Sequence, residues 1–359
     1  MLHPGPRLRR YRPESRLVVE QHPVARAASP AIDFHTHLGR WLTRDGGWMA
    51  PDVGELLTLM DACNVATAVN LDGRWGDELE ANLDRYDRTH PGRFVTFCHV
   101  DWKALEKGQQ PDVLVKELER SAAVGARGVK VWKDLGLEIR VGGRLLFPDD
   151  PMIDPVWEAA GSLGLPVLIH VGDPLAFFLP ADERNERLEY LLDHPGVTQR
   201  RHGPAHFSRL MEALEAVVAR HPATTFVGAH VGGSPEDLGW IASLMAGYRN
   251  FYVDISAQAA ELGRQPRAAA RLCRAHPDRV LFGTDAFPLR AEDYHLYFRL
   301  LETNDEHFPY SSKPVPPSGR WAVSGLGLSG EILDRIYRRN ARIVLGDEDE
   351  AGEGSGPNR

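Results

Sequence analysis

The stretch IDFHTH at residues 32–37 alternates apolar and polar side chains and ends in two histidines. Three later apolar runs end in a similar way: VLIH at 167–170, VGAH at 227–230 and LFGTD at 281–285. Imidazoles and a carboxylate delivered from the ends of separate strands suit a borderline divalent ion such as zinc. The pattern predicts a metal site at one edge of a parallel sheet.

Strand-like runs alternate with amphipathic, helix-like segments along the chain, which is typical of a parallel α/β sheet. We predict strands at 31–37, 65–72, 94–101, 126–132, 165–171, 224–231, 250–256 and 279–285. The helices are predicted at 54–63, 77–89, 112–124, 153–163, 207–221, 235–247, 259–275 and 329–344. Eight such units predict a (β/α)8 TIM barrel.

The three longest connections follow strands 4, 5 and 8, at 133–152, 172–206 and 286–328. They start at the carboxyl ends of the strands, where barrel active sites form, so we expect them to build the rim and lid of a site. The loop at 286–328 shows no clear secondary structure by this reasoning, which is typical of functional or mobile loops.

The 359 residues are expected to form an N-terminal arm (1–29), one barrel domain (30–346) and a disordered acidic tail (347–359). A formal charge of −8 argues against a nucleic-acid surface, and the only basic cluster is the short run RLRRYR at 7–12. No apolar run has a membrane-spanning length or the form of a secretion signal. The three cysteines lie far apart in apolar contexts, which predicts reduced thiols and a cytoplasmic protein.

Strand alternation predicts which side chains face the barrel lumen, because the outer face must be apolar to pack against helices. In the first strand, Ile32 and Phe34 are predicted to face outward, and the polar side chains between them inward. In the sixth strand, Val227 and Ala229 are predicted to face outward, which leaves His230 inside. The same reasoning places Lys130, His170, Asp254 and Asp285 in the lumen.

His35 and His37 lie two positions apart on one strand, so both imidazoles can converge on one ion. His170 and Asp285 would complete a set of three histidines and one aspartate. Asp285 would also accept the proton of a water that the metal activates. His230 would polarise a substrate carbonyl or transfer a proton, or would instead be a further ligand.

An ammonium group directed into the lumen needs a partner, because desolvation disfavours its charge. Lys130 has three open interpretations: it pairs with an inward carboxylate such as Asp254, it binds a substrate carboxylate, or it is carbamylated and bridges two metals. Arg74 has two interpretations: it contacts a substrate anion, or it is an ordinary solvated surface residue. Asp33 is a candidate acceptor that would orient one of the imidazoles.

Together these motifs resemble the amidohydrolase superfamily: DFHTH at 33–37, His170, GAHVGG at 228–233, YVDIS at 252–256, FGTD at 282–285 and IYRRNA at 336–341. More narrowly, they resemble the amidohydrolase-related branch that includes aminocarboxymuconate-semialdehyde decarboxylase and the resorcylate decarboxylases. The resemblance covers about residues 30–346. It implies a barrel with one divalent metal, zinc or alternatively manganese. The implied ligands are His35, His37, His170 and Asp285, with His230 catalytic.

The resemblance does not assign Lys130, because binuclear members of the superfamily carbamylate the lysine of strand 4, whereas this branch is generally mononuclear. Nor does the barrel fix the reaction, since one fold supports cleavage of several bond types. The first hypothesis is a metal-dependent hydrolase of a small molecule, in which metal-activated water attacks a carbonyl. The second is a non-oxidative decarboxylase of an aromatic or unsaturated carboxylic acid.

A third hypothesis is a barrel that binds a ligand without catalysis, or one whose metal is structural. We expect a small-molecule substrate and neither a nucleic-acid nor a membrane partner. A homodimer is consistent with the family that the chain resembles.

Overall fold

The computed structural model describes residues 14–347. The predicted basic cluster at 7–12 and the acidic tail beyond residue 347 lie outside the described residues. All eight predicted strands are present, and each is shorter than predicted. They are β1 Ala31–Thr36, β2 Val65–Asn70, β3 Phe94–Thr96 with its continuation Cys98–His99, β4 Val129–Val131, β5 Val167–Ile169, β6 Phe226–Gly228, β7 Phe251–Asp254 and β8 Val280–Leu281.

These strands pair in parallel and in chain order. One sheet contains β1, β2 and the first part of β3, and the other runs from the second part of β3 to β8. Two backbone hydrogen bonds link the first and last strand segments: Phe34 N donates to Phe282 O at 2.9 Å, and Asp285 N donates to His35 O at 2.8 Å. The architecture is therefore a parallel α/β fold of the TIM-barrel type.

The predicted helices are also present. They are Val53–Cys63, Gly76–Leu83, Pro111–Val124, Asp154–Ser162, Pro204–Arg220, Leu238–Gly247, Ala259–Arg264 followed by Pro266–Ala275, and Gly330–Asp334 followed by Asn340–Leu345. The second helix continues in a π-helical turn at Asp84–Arg88. A second π-helical turn, Arg335–Arg339, connects the two parts of the last helix. The predicted helix at 259–275 is divided in two because Pro266 has no N–H to continue the hydrogen-bond ladder.

The long connections contain more regular structure than predicted. A short helix lies at Leu188–Asp193 in the connection after β5, and an antiparallel hairpin joins Arg140–Val141 to Arg144–Leu145 in the connection after β4. Outside these connections, another short helix lies at Lys103–Glu106. The prediction of no clear secondary structure within 286–328 is wrong for Ala291–Glu302, a helix of 12 residues. Tyr294, Phe298 and Leu301 on this helix are buried at helical spacing, a signal that the sequence analysis overlooked.

Two groups of buried apolar side chains lie on opposite sides of the strands. Val129, Val131, Val167, Ile169 and Phe282 belong to the large core that the helices cover. The inner group contains Ile32, Phe34, Val69, Leu71, Phe97, Leu168, Val227, Ala229 and Leu281. The predictions that Ile32, Phe34, Val227 and Ala229 face outward are therefore wrong.

The irregularity of β1 explains part of this error. The register of β1 against β2 shifts between Asp33 and Thr36, so the side chains do not alternate strictly there. Phe34 consequently packs inside with Phe97, at 5.7 Å between ring centroids, while the next residue, His35, still reaches the site. Gly128 provides the space for this pair, because a Cβ at that position would lie 2.4 Å from Phe97 Cζ.

The segment that precedes β1 packs on the domain through polar contacts. His22 N donates to Asp305 Oδ2 at 2.7 Å, and Asn64 Nδ2 donates to the Ala27 carbonyl at 2.8 Å. The cysteines Cys63, Cys98 and Cys273 are free and buried, as predicted. Within residues 14–347, the helices are all too short or too polar to cross a bilayer.

Trp157 provides a test of how the helix that precedes β5 is held against the sheet. Its side chain is fully buried, its indole N–H donates to the Pro148 carbonyl at 3.0 Å, and its ring lies 6.0 Å from that of Phe226. We expect Trp157→Ala to lower the free energy of unfolding by about 3–5 kcal/mol, since it leaves a large cavity.

Urea denaturation followed by circular dichroism measures this change. Leu163 lies just beyond the same helix and is 40 % exposed, so Leu163→Ala is the control, with an expected change within about 0.5 kcal/mol. Equal stability of the two variants would contradict this account of the packing.

Candidate metal centre

His35 and His37 are both buried, and each is oriented by a buried carboxylate. His35 Nδ1 lies 2.8 Å from Asp254 Oδ2, and His37 Nδ1 lies 2.6 Å from Asp72 Oδ1. A proton on Nδ1 of each ring satisfies these contacts and leaves the Nε2 lone pair free. The two Nε2 atoms then face Asp285. Metal-ligating imidazoles are commonly oriented in this way, by a carboxylate at the ring nitrogen that does not bind the metal.

Asp285 follows β8 and lies between the two rings. Its Oδ1 is 3.6 Å from His35 Nε2 and 3.2 Å from His37 Nε2. The ligand atoms of these three residues all lie within 4.8 Å of one another. The backbone of Asp285 has a left-handed conformation, with φ of 56°, and its N–H is held by the His35 carbonyl. Such strain in a residue other than glycine persists only where the surroundings fix it.

A second group of possible ligand atoms belongs to His35, His230 and Asp254. Hydrogen bonds already occupy this carboxylate. Asp254 Oδ1 accepts from His230 N at 2.9 Å and from Ser256 N at 3.0 Å and Oγ at 2.6 Å, while Oδ2 faces His35 Nδ1. Asp254 therefore orients the neighbouring residues, with three hydrogen bonds on Oδ1 and the His35 ring beside Oδ2.

His230 reaches the site through a sharp turn and not through strand alternation. β6 ends at Gly228, and both His230 and Val231 have left-handed backbones, with φ of 56° and 57°. His230 Nδ1 lies 2.9 Å from the Ser256 carbonyl, an acceptor that requires the proton on this nitrogen. Nε2 then presents its lone pair to the cavity, 3.9 Å from Asp285 Oδ2.

His170, the remaining predicted ligand, lies beside this cluster. It lines the same cavity, and its ring centroid is 4.4 Å from that of His230. It is not a member of either group of closely spaced ligand atoms. His170 Nδ1 is buried without a hydrogen-bond partner, which leaves a donor atom of this ring unsatisfied.

The electrostatics of the cluster favour neutral rings at His35 and His170 and an ionised carboxylate at Asp285, whereas they favour a protonated ring at His37 in the absence of a metal. Burial lowers the pKa of His35 to about 4, and the nearby Lys130 acts in the same direction. Burial and the charge of His230 also lower the pKa of His170. Burial alone would raise the pKa of Asp285, but the surrounding imidazoles outweigh it and hold this pKa far below the usual range. Burial opposes a proton on His37, but Asp72 and Asp285 raise its pKa to about 9.

The predicted substrate-binding cations do not line the cavity in this structure. Lys130 is only 1 % exposed, and its Nζ lies 3.4 Å from His35 Nε2. Among residues 14–347, Lys130 forms no ion pair with Asp254, whose carboxylate faces His35 instead. Arg74 lies outside the lining, with its guanidinium 4.2 Å from the Trp75 ring centroid and 5.2 Å from that of Trp41.

The prediction that Asp33 orients an imidazole is wrong. Its carboxylate accepts from Thr284 N at 3.0 Å and from Thr284 Oγ1 at 2.6 Å, and its Oδ1 also accepts from the His35 backbone N–H. Burial raises the pKa of Asp33 to about 7. This carboxyl group fixes the turn that carries Asp285 instead of holding a ring.

The carboxylates that do orient the rings are Asp72 and Asp254. Asp254 was predicted to face the lumen, and a pair with Lys130 was one of three interpretations left open for that lysine. Asp72 was overlooked, although its place directly after the apolar run of the second strand was a visible signal. Lys133 and Asp173, which line the cavity just after β4 and β5, were also missed.

The cavity above the cluster has a volume of about 570 Å³. Its walls include the aromatic side chains Trp132, Phe177, Tyr190, Phe287 and Tyr310. The nitrogen and oxygen donors at its base fit a divalent metal, because two imidazole Nε2 atoms and one ionised carboxylate converge there and both Nδ1 atoms are anchored. A candidate metal centre therefore opens into a pocket of the size that takes a small molecule.

Among solved structures, three similar ones show the breadth of this fold. A 2,6-dihydroxybenzoate decarboxylase from Rhizobium is 17% identical with a TM-score of 0.55, over 89% of this chain and 99% of that chain. A dihydroxybenzoic acid decarboxylase from Polaromonas sp. JS666, with bound manganese and the inhibitor 2-nitroresorcinol, is 17% identical with a TM-score of 0.54, over 89% and 97%. An amidohydrolase from Burkholderia multivorans with bound HEPES is 15% identical with a TM-score of 0.53, over 89% and 99%.

At these identities the solved structures establish the fold. No match was found among the curated proteins. The family model described as amidohydrolase matches residues 32–346, which is most of the chain. The match spans β1 to the last helix and includes every residue of the candidate metal centre. This protein therefore belongs to the amidohydrolase family.

Proposed function

We propose that this protein is a metal-dependent decarboxylase of an aromatic carboxylic acid. The observation that carries the proposal is the position of the His35, His37 and Asp285 cluster at the base of a cavity with aromatic walls. Aromatic side chains favour a planar ring, which stacks on them or meets their edges. Two of the similar structures are decarboxylases of dihydroxybenzoates. The comparisons thus support the second hypothesis from the sequence better than hydrolysis, the first.

We infer that the eight strands close into one barrel within a single domain at 30–346. The backbone hydrogen bonds from Phe34 to Phe282 and from Asp285 to His35 support closure, because they join the first and last strand segments. Closure gathers the strand ends into one rim.

In the proposed centre, His35, His37 and Asp285 hold one divalent ion, with His170 as a fourth ligand. The nitrogen-rich donor set suits zinc, and manganese is the metal of one similar structure. When bound, the metal supplies Lewis acidity that polarises an oxygen of the substrate. Lys130 lies 3.4 Å from a proposed ligand atom, so its role in this proposal is to tune the charge beside the centre and not to bind substrate.

His230 is the group that we propose to hold the transferred proton. In a decarboxylation the carbon–carbon bond breaks, its electron pair stays on the ring carbon, and that carbon takes a proton as CO2 leaves. The Ser256 carbonyl anchors His230 Nδ1, so Nε2 is the atom that picks up and delivers this proton. The distance of 3.9 Å between His230 Nε2 and Asp285 Oδ2 and the place of His230 in the cavity lining support this role.

The connections after β5 and β8 form the proposed lid. Glu189 and Arg320 join these two connections in an ion pair that is mostly buried. Arg187, from the β5 connection, pairs with Glu261 and donates to Ser318 Oγ at 3.1 Å. These contacts hold together the two connections that carry Tyr190 and Tyr310, which line the cavity, and the role that we propose for them is to limit the access of water to the centre.

Metal content tests the ligand assignment. We expect about one equivalent of divalent metal in the purified protein and less than about a tenth of that in His37→Asn or Asp285→Asn, because each variant removes a donor. We expect Asp72→Asn to keep the ligands but to weaken metal affinity about 10–100-fold, since it loosens the His37 ring.

Elemental analysis and competition with a chelator measure these two effects. His307→Asn is the matched control, since His307 is exposed, is not part of the cavity lining and has a positive φ that asparagine tolerates. Full metal occupancy in both ligand variants would remove the assignment.

The role of His230 is tested separately from metal binding. We expect His230→Asn to retain the metal and to lower kcat at least about 100-fold, because asparagine fills the site but cannot transfer a proton. Metal analysis of the same sample is the control. Loss of metal together with activity would show that His230 is a ligand, the alternative left open by the sequence.

The reaction is tested with a panel of aromatic carboxylic acids, lactones and amides. We expect release of CO2 from one or more hydroxybenzoates by the metal-loaded protein, with loss of this activity after chelation and its return when metal is added back. Turnover of a lactone or an amide without CO2 release would favour hydrolysis and contradict the proposal.

A further inference from the structure

Lys133 is a cation of the cavity lining, whereas Lys130 and Arg74, which were predicted to bind a substrate anion, do not line the cavity. It follows Trp132 just after β4, and both side chains line the cavity. The Trp132 ring lies 5.8 Å from His170 and 5.7 Å from His37, centroid to centroid, so this part of the wall borders the candidate metal centre. The Lys133 side chain is 30% exposed, in contrast to the enclosed Lys130.

An ion pair fixes the position of Lys133. Its Nζ donates to Asp173 Oδ1 at 2.5 Å, and Gln199 Nε2 donates to the other oxygen of Asp173 at 3.2 Å. Asp173 is only 5% exposed, whereas the Lys133 side chain is the more accessible partner of the pair, and both residues line the cavity. An ammonium group has three N–H donors, and Asp173 takes one of them. The remaining two are available to a ligand.

The other cations in the described part of the lining are less suited to this task. Arg187 is already engaged by Glu261 and by Ser318 Oγ, and its side chain is 7% exposed. Lys313 belongs to the exposed part of the β8 connection and has no anchoring carboxylate among its described contacts. A cation that is both anchored and accessible loses little conformational freedom when it binds an anion.

We propose that Lys133 binds the carboxylate of a planar aromatic acid and thereby selects anionic over neutral ring compounds in this cavity. The inference rests on the proposed function for the identity of the substrate class, but its physical basis is independent of turnover. The ring is held between aromatic walls, and the anchored ammonium donates to the acid at the border of the metal centre. Charge-assisted hydrogen bonds of this kind are about twice as strong as neutral ones.

The test compares binding of benzoate and of benzamide, a neutral compound of similar shape, to the metal-loaded full-length protein. Calorimetry gives Kd for both ligands with the unaltered protein, Lys133→Met, Lys133→Arg and Lys313→Met. We expect Lys133→Met to raise Kd for benzoate about 10–100-fold and to leave Kd for benzamide within about twofold.

Lys133→Arg keeps the positive charge and is expected to recover part of the affinity for benzoate. Lys313→Met removes a second cation from the same lining, and we expect a much smaller rise in Kd for benzoate than in Lys133→Met, because Lys313 has no anchoring carboxylate among its described contacts. Metal content and thermal unfolding of each variant confirm that the centre and the fold are intact. If Lys133→Met does not fold, Lys133→Gln replaces it in the same comparison.

Three results would overturn the proposal: equal Kd values for benzoate and benzamide in the unaltered protein, no change of benzoate affinity in Lys133→Met, or the same loss for both ligands. Failure of the proposed function gives a different result. In that case no acid of the panel releases CO2, while benzoate still binds more tightly than benzamide in a Lys133-dependent manner.

Discussion

The candidate centre depends on two buried contacts between imidazole and carboxylate, His35 with Asp254 and His37 with Asp72. Both carboxylates are fully buried, and a charge that is removed from water is stable only when hydrogen bonds surround it. Asp254 accepts from backbone and hydroxyl groups, and Asp72 accepts from Gly39 N and Trp41 Nε1. The strand ends must therefore converge before either ring has a defined orientation. The site and the fold are specified by the same contacts.

Backbone strain is concentrated at these strand ends. Arg74, His230, Ala257 and Asp285 have positive φ although none of them is glycine, and they follow β2, β6, β7 and β8 respectively. Each such residue costs of the order of 1–3 kcal/mol, which the surrounding structure must offset. The core supplies that stabilisation, because the strands are almost wholly buried on both faces. The four positions all follow the carboxyl ends of strands, as expected where side chains are aimed for chemistry and not for stability.

Periodicity was sufficient to predict every strand and the main helices, because each repeat buries an apolar face at a regular spacing. It was also sufficient to select His35, His37 and Asp285, which the structure brings together. It failed where regular spacing is broken. The register shift in β1 reverses the orientation predicted for Phe34. The His230 ring reaches the site because of a left-handed turn, whereas the prediction relied on strand alternation. Contacts between segments that are distant in the sequence, such as Asp72 with His37 at the ends of the paired strands β2 and β1, depend on strand pairing and have no local signature.

The metal-binding motifs of the family do not determine which reaction takes place. The choice of reaction depends on the connections that form the walls of the cavity. A centre of this kind polarises an oxygen of whatever ligand the cavity admits, so the walls select the bond that breaks. Here the walls come mainly from the connections after β4, β5 and β8, which supply Trp132, Lys133, Phe177, Tyr190 and Tyr310. Aromatic surfaces bury a ring without needing hydrogen bonds from it, whereas one anchored ammonium fixes the end that carries the charge. Under the proposed function, a flat anion would therefore enter with its charged group towards the metal centre, and this orientation would expose the bond between the ring and the carboxylate to a proton held by His230.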